Sequence, residues 1–258
     1  MLALHDLEVG YRTARGAVLQ PISLTADAGA FVCVLGRNGA GKSTLMRTIA
    51  GLQPALGGSA SLADDPIDNL PAAERARRIA VVLTERSTSP GLTVSDVVQL
   101  GRQPFTNWQG RLSNEDRALA KEALQTAGAL QFEGRYFDDL SDGERQRVMI
   151  ARALAQTSKL MILDEITAFL DLPGRVEVMA LLRSHARKSG TIVLLSSHDL
   201  DLSLRLADSV WLLDGQGQLA IGTSDHLVVS GAVGRAFDSE DVRFSRDLGR
   251  FELSEARR

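Results

Sequence analysis

The sequence predicts an α/β fold in which a mostly parallel sheet is covered by helices on both faces. Three observations lead there. From residue 140 onward, helical runs alternate with short apolar runs of strand length: helix 142–156, strand 159–163, helix 174–188, strand 191–195, helix 200–207 and strand 209–213. Repeated strand–helix units of this size leave neighbouring strands parallel. Nearer the amino terminus, residues 31–35 are continuously apolar, as a strand buried on both faces must be, and run into glycines and then a helical stretch at 42–50. Finally, 44% apolar and 24% charged residues over 258 positions is ordinary globular usage. A chain of that length buries roughly 70–75% of its unfolded surface around its own core.

The elements follow in order. Residues 2–11 and 17–25 read as extended, the second interrupted by Pro21, which suits an edge or irregular strand. After the apolar strand and helix 42–50, residues 71–78 and 113–127 are rich in Ala, Leu, Glu and Arg and read as helices, with strand-like residues 79–83 between them. Pro71 suits a first helical turn, and Ser113 with Asp116 forms a capping-box pattern. The tail from Asp225 to Arg258 carries only weak signals. We therefore expect a single domain over residues 1–258, with a helical insertion at about 86–140 and a carboxy-terminal extension at about 223–258.

Composition excludes several classes. With 29 Lys and Arg against 32 Asp and Glu, the net charge of −3 supplies no basic excess for nucleic acid or an anionic membrane. A single cysteine, Cys33, rules out an intramolecular disulfide and a multi-cysteine zinc site; within an apolar run it reads as a buried, inert thiol. The first residues lack the basic-then-apolar pattern of a secretory signal, and no window approaches 18 consecutive apolar residues. The expectation is a cytoplasmic protein whose membrane association comes through a partner.

Gly36, Arg37, Asn38, Gly39, Ala40, Gly41, Lys42, Ser43 and Thr44 match the pattern G-x-x-x-x-G-K-[ST] between a buried strand and a helix, the context this motif requires. The glycines let successive N–H groups curl around a phosphate, and the helix directs its unpaired N–H groups and positive dipole end at the same anion. Lys42 can reach the β- and γ-phosphates while the Ser43 hydroxyl joins a magnesium shell. This defines a P-loop nucleoside triphosphate site, and a fortuitous glycine-rich turn is the bland alternative. Downstream, the apolar run 160–163 ends in Asp164 and Glu165, which delivers acids to the carboxyl edge of a parallel sheet. Asp164 fits the magnesium-holding acid and Glu165 the group that polarises an attacking water. Ser141, Asp142, Gly143 and Glu144 open a helix; they read either as a plain capping box or as a second anion receptor built from the same hydroxyl and N–H groups.

Together these residues resemble the nucleotide-binding subunit of ATP-binding cassette (ABC) transporters, over residues 2–222. The resemblance implies an ABC nucleotide-binding domain: a P-loop core with a mostly parallel sheet, an amino-terminal antiparallel β portion and a helical insertion. It implies ATP hydrolysis with Mg2+, and a head-to-tail dimer in which Ser141 to Glu144 form the signature that meets the partner copy's ATP. Asp171 would belong to the D-loop linking the two sites, His198 would contact the γ-phosphate and the water, and Tyr11 would stack on adenine. Three positions depart from the family pattern. Glu85 stands where a glutamine usually touches magnesium, Asp142 where the signature has glycine, and Ile166 where proline usually follows the catalytic glutamate. The side chain of Asp142 is expected to turn away from phosphate, and Ile166 to loosen the Glu165 loop.

The segment 92–106, with its Leu100-Gly101-Arg102-x-Pro104-Phe105 element, resembles the subgroup that serves importers of ferric siderophores, haem and cobalamin. That resemblance implies permease partners at the cytoplasmic face of the membrane, peripheral attachment through them and, indirectly, a substrate-binding protein, with no nucleic acid. A soluble ABC ATPase of nucleic-acid or translation processes is the alternative.

Overall fold

A computed structural model describes residues 1–13, 16–83, 91–246 and 248–253. Among these residues, strands β1 (Leu2–Glu8), β2 (Gly10–Tyr11), β3 (Gly16–Ala17) and β4 (Ile22–Ala26) precede β5 (Phe31–Gly36), which leads into helix α1 (Lys42–Ile49). Next come β6 (Gly57–Leu62), β7 (Asp65–Pro66), α2 (Ala72–Arg78) and β8 (Ile79–Val82). The inserted helices are α3 (Val94–Gln99), continued by a 3-10 turn over Leu100–Phe105, and α4 (Asn114–Thr126). The alternating half holds α5 (Asp142–Ala155), β9 (Leu160–Asp164), α6 (Leu172–Ser189), β10 (Ile192–Ser196), α7 (Leu200–Leu206) and β11 (Ser209–Leu213). The last described elements are β12 (Leu219–Gly222), α8 (Ser224–Val229), α9 (Ala232–Phe237), β13 (Val242–Ser245) and β14 (Arg250–Leu253).

The main sheet has the order β12-β11-β5-β10-β9-β8, parallel throughout except for β12 at its edge. A second, antiparallel sheet runs β4-β1-β6-β7. In the central strands the two-residue side-chain period splits the apolar run between two cores. Phe31, Cys33 and Leu35 face one with Met161, Leu163, Val193 and Leu195, which α3, α4, α5 and α6 cover. Val32 and Val34 face the other with Leu160, Ile162, Ile192 and Leu194, packed against α1 and the antiparallel sheet. Strands buried on both faces tolerate no polar side chain before their ends, which explains why the site residues collect at one edge. Cys33 lies fully inside the first core, where burial pushes its thiol up to about 12, and it is inert.

Several helix starts form as their sequences predict. Ser113 and Asp116 close a reciprocal capping box on α4, and Ser141 and Glu144 do the same on α5. Pro71 sits one residue earlier than a first-turn position, as the N-cap of α2. The extended reading of 17–25 resolves into β3 and β4 with a non-strand stretch around Pro21 between them. No described helix is long and apolar enough to cross a membrane.

Candidate functional site

Strand order brings the candidate residues together. Because β10 lies between β5 and β9, Ser196 at its end pairs with Val34 on one side and with Asp164 on the other. The loop after β5, the acids after β9 and the Ser197-His198 segment after β10 therefore emerge side by side at the carboxyl edge of the sheet, where α/β folds bind ligands. Residues from each segment border a cleft of about 490 Å3 lined by Tyr11, Val18, Asn38, Gly39, Gly41, Lys42, Ser43, Thr44, Glu165 and His198, while Gly36, Arg37, Ala40 and the buried Asp164 are not part of that lining.

The phosphate loop wraps the start of α1. Gly41, its N-cap, has φ 105°, and a Cβ there would lie 2.6 Å from Val18 Cγ1, so only glycine fits. Lys42 is buried, and its Nζ donates to the carbonyl oxygens of Gly36 (2.9 Å) and Arg37 (3.3 Å), folding the ammonium back under the loop. Burial pushes the Lys42 ammonium below its usual value, against the opposing pull of Glu165 and then Asp164. Tyr11 also lines the cleft, its hydroxyl sharing a 3.1 Å hydrogen bond with the Thr44 hydroxyl while the ring stays exposed.

The acids differ sharply in setting. Asp164 is buried, and its Oδ1 accepts a 2.6 Å hydrogen bond from Ser196 Oγ. Glu165 turns out toward the cleft, with Oε1 2.7 Å from His198 Nε2. Its backbone lies in the left-handed region at φ 54°, a conformation that costs a non-glycine residue roughly 1–2 kcal/mol. The neighbouring Ile166 is buried in the first core, so packing rather than a proline ring anchors this turn. The expected loosening at Ile166 is thus countered by burial of its side chain and by a 2.9 Å hydrogen bond from the Glu165 N–H to Ser196 Oγ. Behind these groups a smaller cavity of about 170 Å3 is lined by Glu165, Thr167, Ala168, Arg175, His198 and Asp199.

Ser141, Asp142, Gly143, Glu144 and Asp171 do not line the cleft; Ser141 to Glu144 open α5 and Asp171 caps α6, accepting from the Gly174 N–H at 3.0 Å. The Ser141 hydroxyl donates to Glu144 Oε2 (3.0 Å), which also accepts the Ser141 N–H (2.8 Å). These bonds, from the Ser141 backbone and then its hydroxyl, with help from Arg135, hold the Glu144 carboxyl below its usual range. Asp142 lies 3.9 Å from Arg145 on its own helix. Glu85 lies outside the described residues.

Sequence reasoning missed Ser196 and Val18. The first had a signal: a polar residue closing an otherwise apolar strand, directly before Ser197-His198-Asp199. The second had none, because an aliphatic residue reads as core wherever it stands.

The arrangement defines a P-loop nucleotide site with a carboxylate–histidine pair at its mouth. A family model described as ABC transporter matches residues 19–168. An uncharacterized ABC transporter ATP-binding protein of Methanocaldococcus jannaschii is 38% identical over 253 residues, 98% of this chain and 87% of that protein. The achromobactin transport ATP-binding protein of Dickeya dadantii is 34% identical over 91% of this chain and 86% of its own length. Among solved structures, an inward-facing metal-chelate type ABC transporter superposes with a TM-score of 0.79 at 27% identity, over 92% of this chain and 88% of that one. The chain belongs to the ABC transporter family, as an ATP-hydrolysing cassette.

Proposed function

We propose that this cassette drives an importer for a ferric siderophore, haem or cobalamin, working as a head-to-tail pair of copies attached to permease subunits at the cytoplasmic face of the membrane. A substrate-binding protein delivers the cargo to that permease. The observation that carries the hydrolytic part is the 2.7 Å contact between His198 and Glu165 at the mouth of the phosphate-loop cleft. The relatives named for metal-chelate and achromobactin transport support the cargo class.

ATP fits the cleft with adenine against Tyr11 and its phosphates against residues 36–44. There the amide groups of the loop and the positive end of α1 receive the charge. Lys42 releases its two carbonyl partners to meet the phosphates, and the anion offsets the burial that disfavours its charge. Glu165 accepts a proton from the attacking water and His198 holds the Glu165 carboxylate toward it. The donors available for Mg2+ are oxygen atoms, the Ser43 hydroxyl and the Asp164 carboxylate, with Glu85 as a proposed third. No group of three metal-binding side chains stands among the described residues. That set fits a hard cation shared with nucleotide phosphates rather than an all-protein cage. When bound, Mg2+ supplies neutralisation of the phosphate charge. As the family resemblance implies, Ser141 and Gly143 of a second copy close over the γ-phosphate and Asp171 links the two sites; none of the three lines the cleft of a single copy. Electrostatic positioning is the main source of acceleration.

Glu165→Gln tests the assignment. Mg-ATP binding is expected to persist while phosphate release nearly stops, and light scattering should show paired copies at saturating nucleotide. Normal turnover in this variant would remove Glu165 from the chemistry. Loss of labelled ferric-chelate uptake in cells carrying it would tie the cassette to that cargo.

A further inference from the structure

We propose that Ser196 is a positioning residue for hydrolysis, one hydroxyl that sets both acids of the site. It rests on the assignment of Asp164 and Glu165 above. Ser196 is completely buried, at the end of β10 directly opposite Asp164 in the sheet register. Its Oγ donates to Asp164 Oδ1 at 2.6 Å and accepts the Glu165 N–H at 2.9 Å. A hydroxyl has one proton to give, so donating it to the carboxylate commits the lone pairs to the amide and fixes the direction of both bonds.

The two bonds act on different problems. The first orients the carboxylate that is to face the metal–nucleotide complex. The second holds a backbone turn that Glu165 enters at φ 54°, where a side chain is strained, and it does so where no proline ring restrains the chain. With that turn held, the Glu165 carboxylate reaches His198. The adjacent Ser197 serves elsewhere, accepting the Asp199 N–H at 3.0 Å, so the pair divides between the acids and the switch segment. An inert space-filler at position 196 needs neither bond.

The test compares Ser196→Ala, Ser196→Thr and Glu165→Gln in the full chain. Phosphate release gives kcat and KM, electron paramagnetic resonance gives the affinity of Mn2+ for the ATP-loaded protein, and metal-free ATP binding reports on the fold. Removing an orienting partner of a metal-facing group costs about 10- to 100-fold. Ser196→Ala should lower kcat by that order and weaken Mn2+ affinity, with metal-free ATP binding unchanged, and Ser196→Thr should restore both. Unchanged kcat and Mn2+ affinity in Ser196→Ala would overturn the proposal. So would a parallel loss of metal-free ATP binding, or a failure of threonine to rescue. A fully active Glu165→Gln beside an impaired Ser196→Ala would overturn the assignment of Glu165 while leaving Ser196 to act through Asp164.

Discussion

Replacing Arg102 with alanine is expected to destabilise the isolated chain by about 3 kcal/mol. The guanidinium is buried, and its Nε donates to Asp116 Oδ1 at 2.9 Å. Its Nη1 donates to the Ala155 carbonyl at 2.8 Å and the Thr157 hydroxyl at 2.9 Å, and its carbon sits 4.0 Å from the centroid of the Phe105 ring. It thereby pins the insertion, through α4 and the 3-10 turn, to the end of α5. Breaking a buried ion pair by removing one partner costs roughly 3–5 kcal/mol, and the lower end applies because Asp116 keeps both bonds from Ser113. At roughly 2–4 °C per kcal/mol for a chain of this size, Tm should fall by about 6–12 °C. Thermal unfolding of the nucleotide-free chain at neutral pH measures it. A shift below about 2 °C would show that Arg102 faces a partner and not the chain's own interior.

The same pair carries a pH signature. The Ser113 hydroxyl and then its N–H hold the Asp116 carboxyl below its ordinary value of 3.8, with Arg102 adding to them against the opposing effect of burial. A carboxyl whose folded value is depressed stabilises fully above its unfolded value and loses that contribution as pH falls through the folded one. The stability gap between wild type and Asp116→Asn should therefore stay level near neutrality and close as pH drops below 3.8.

Two further outcomes are expected. Tyr11→Ala should raise the Kd for ATP by roughly 5- to 150-fold, since stacking on a base contributes about 1–3 kcal/mol, whereas Tyr11→Phe keeps the ring, loses only the bond to Thr44, and should bind nearly as wild type in a fluorescence titration. Glu144→Gln should strengthen ATP-dependent pairing, measured by light scattering in the Glu165→Gln background, because it removes a carboxylate beside the helix start proposed to receive the second copy's phosphate and frees the Ser141 hydroxyl from a charged acceptor.

The core and most of the cleft were legible because their physics is local. A strand buried on both faces must be an unbroken apolar run, and a loop that cradles phosphate must be glycine-rich, so residues 31–44 declare both in one stretch. The antiparallel strand β6 was not legible: its residues, Gly57–Leu62, mix glycine and serine with few apolar side chains, and its place is set by pairing with β1 across some fifty residues of chain. The carboxy-terminal hairpin of β13 and β14 escaped for a related reason. Phe237, Phe244 and Phe251 form an edge-to-face cluster, but they lie on three separate elements and show no shared period. In the site, the loop was read from its glycine and lysine spacing and the acids from the apolar run they close, whereas the hydroxyl joining Asp164 to Glu165 became visible only with the β9–β10 register.

The element Leu100-Gly101-Arg102-x-Pro104-Phe105, singled out for its resemblance to the chelate-importer subgroup, is shaped largely by the interior. A Cβ on Gly101 would fall 2.3 Å from the Arg152 carbonyl, so glycine is required for the 3-10 turn to lie against α5, and Arg102 points into that same junction. What faces outward is different: Leu100 at 36% exposure and Trp108 at 91%. The inward residues join the insertion to the end of α5, and α5 begins just after its N-cap, Ser141. Leu100 and Trp108 therefore stand beside a buried frame that ends on the helix whose start is proposed to meet the second copy's nucleotide. Substituting Trp108 alone should leave Tm and basal phosphate release of the isolated chain untouched and lower only the activity measured with the permease present; Arg102→Ala should lower both Tm and coupling. If the two variants behaved alike on the isolated chain, the division between an inward frame and an outward contact would be wrong.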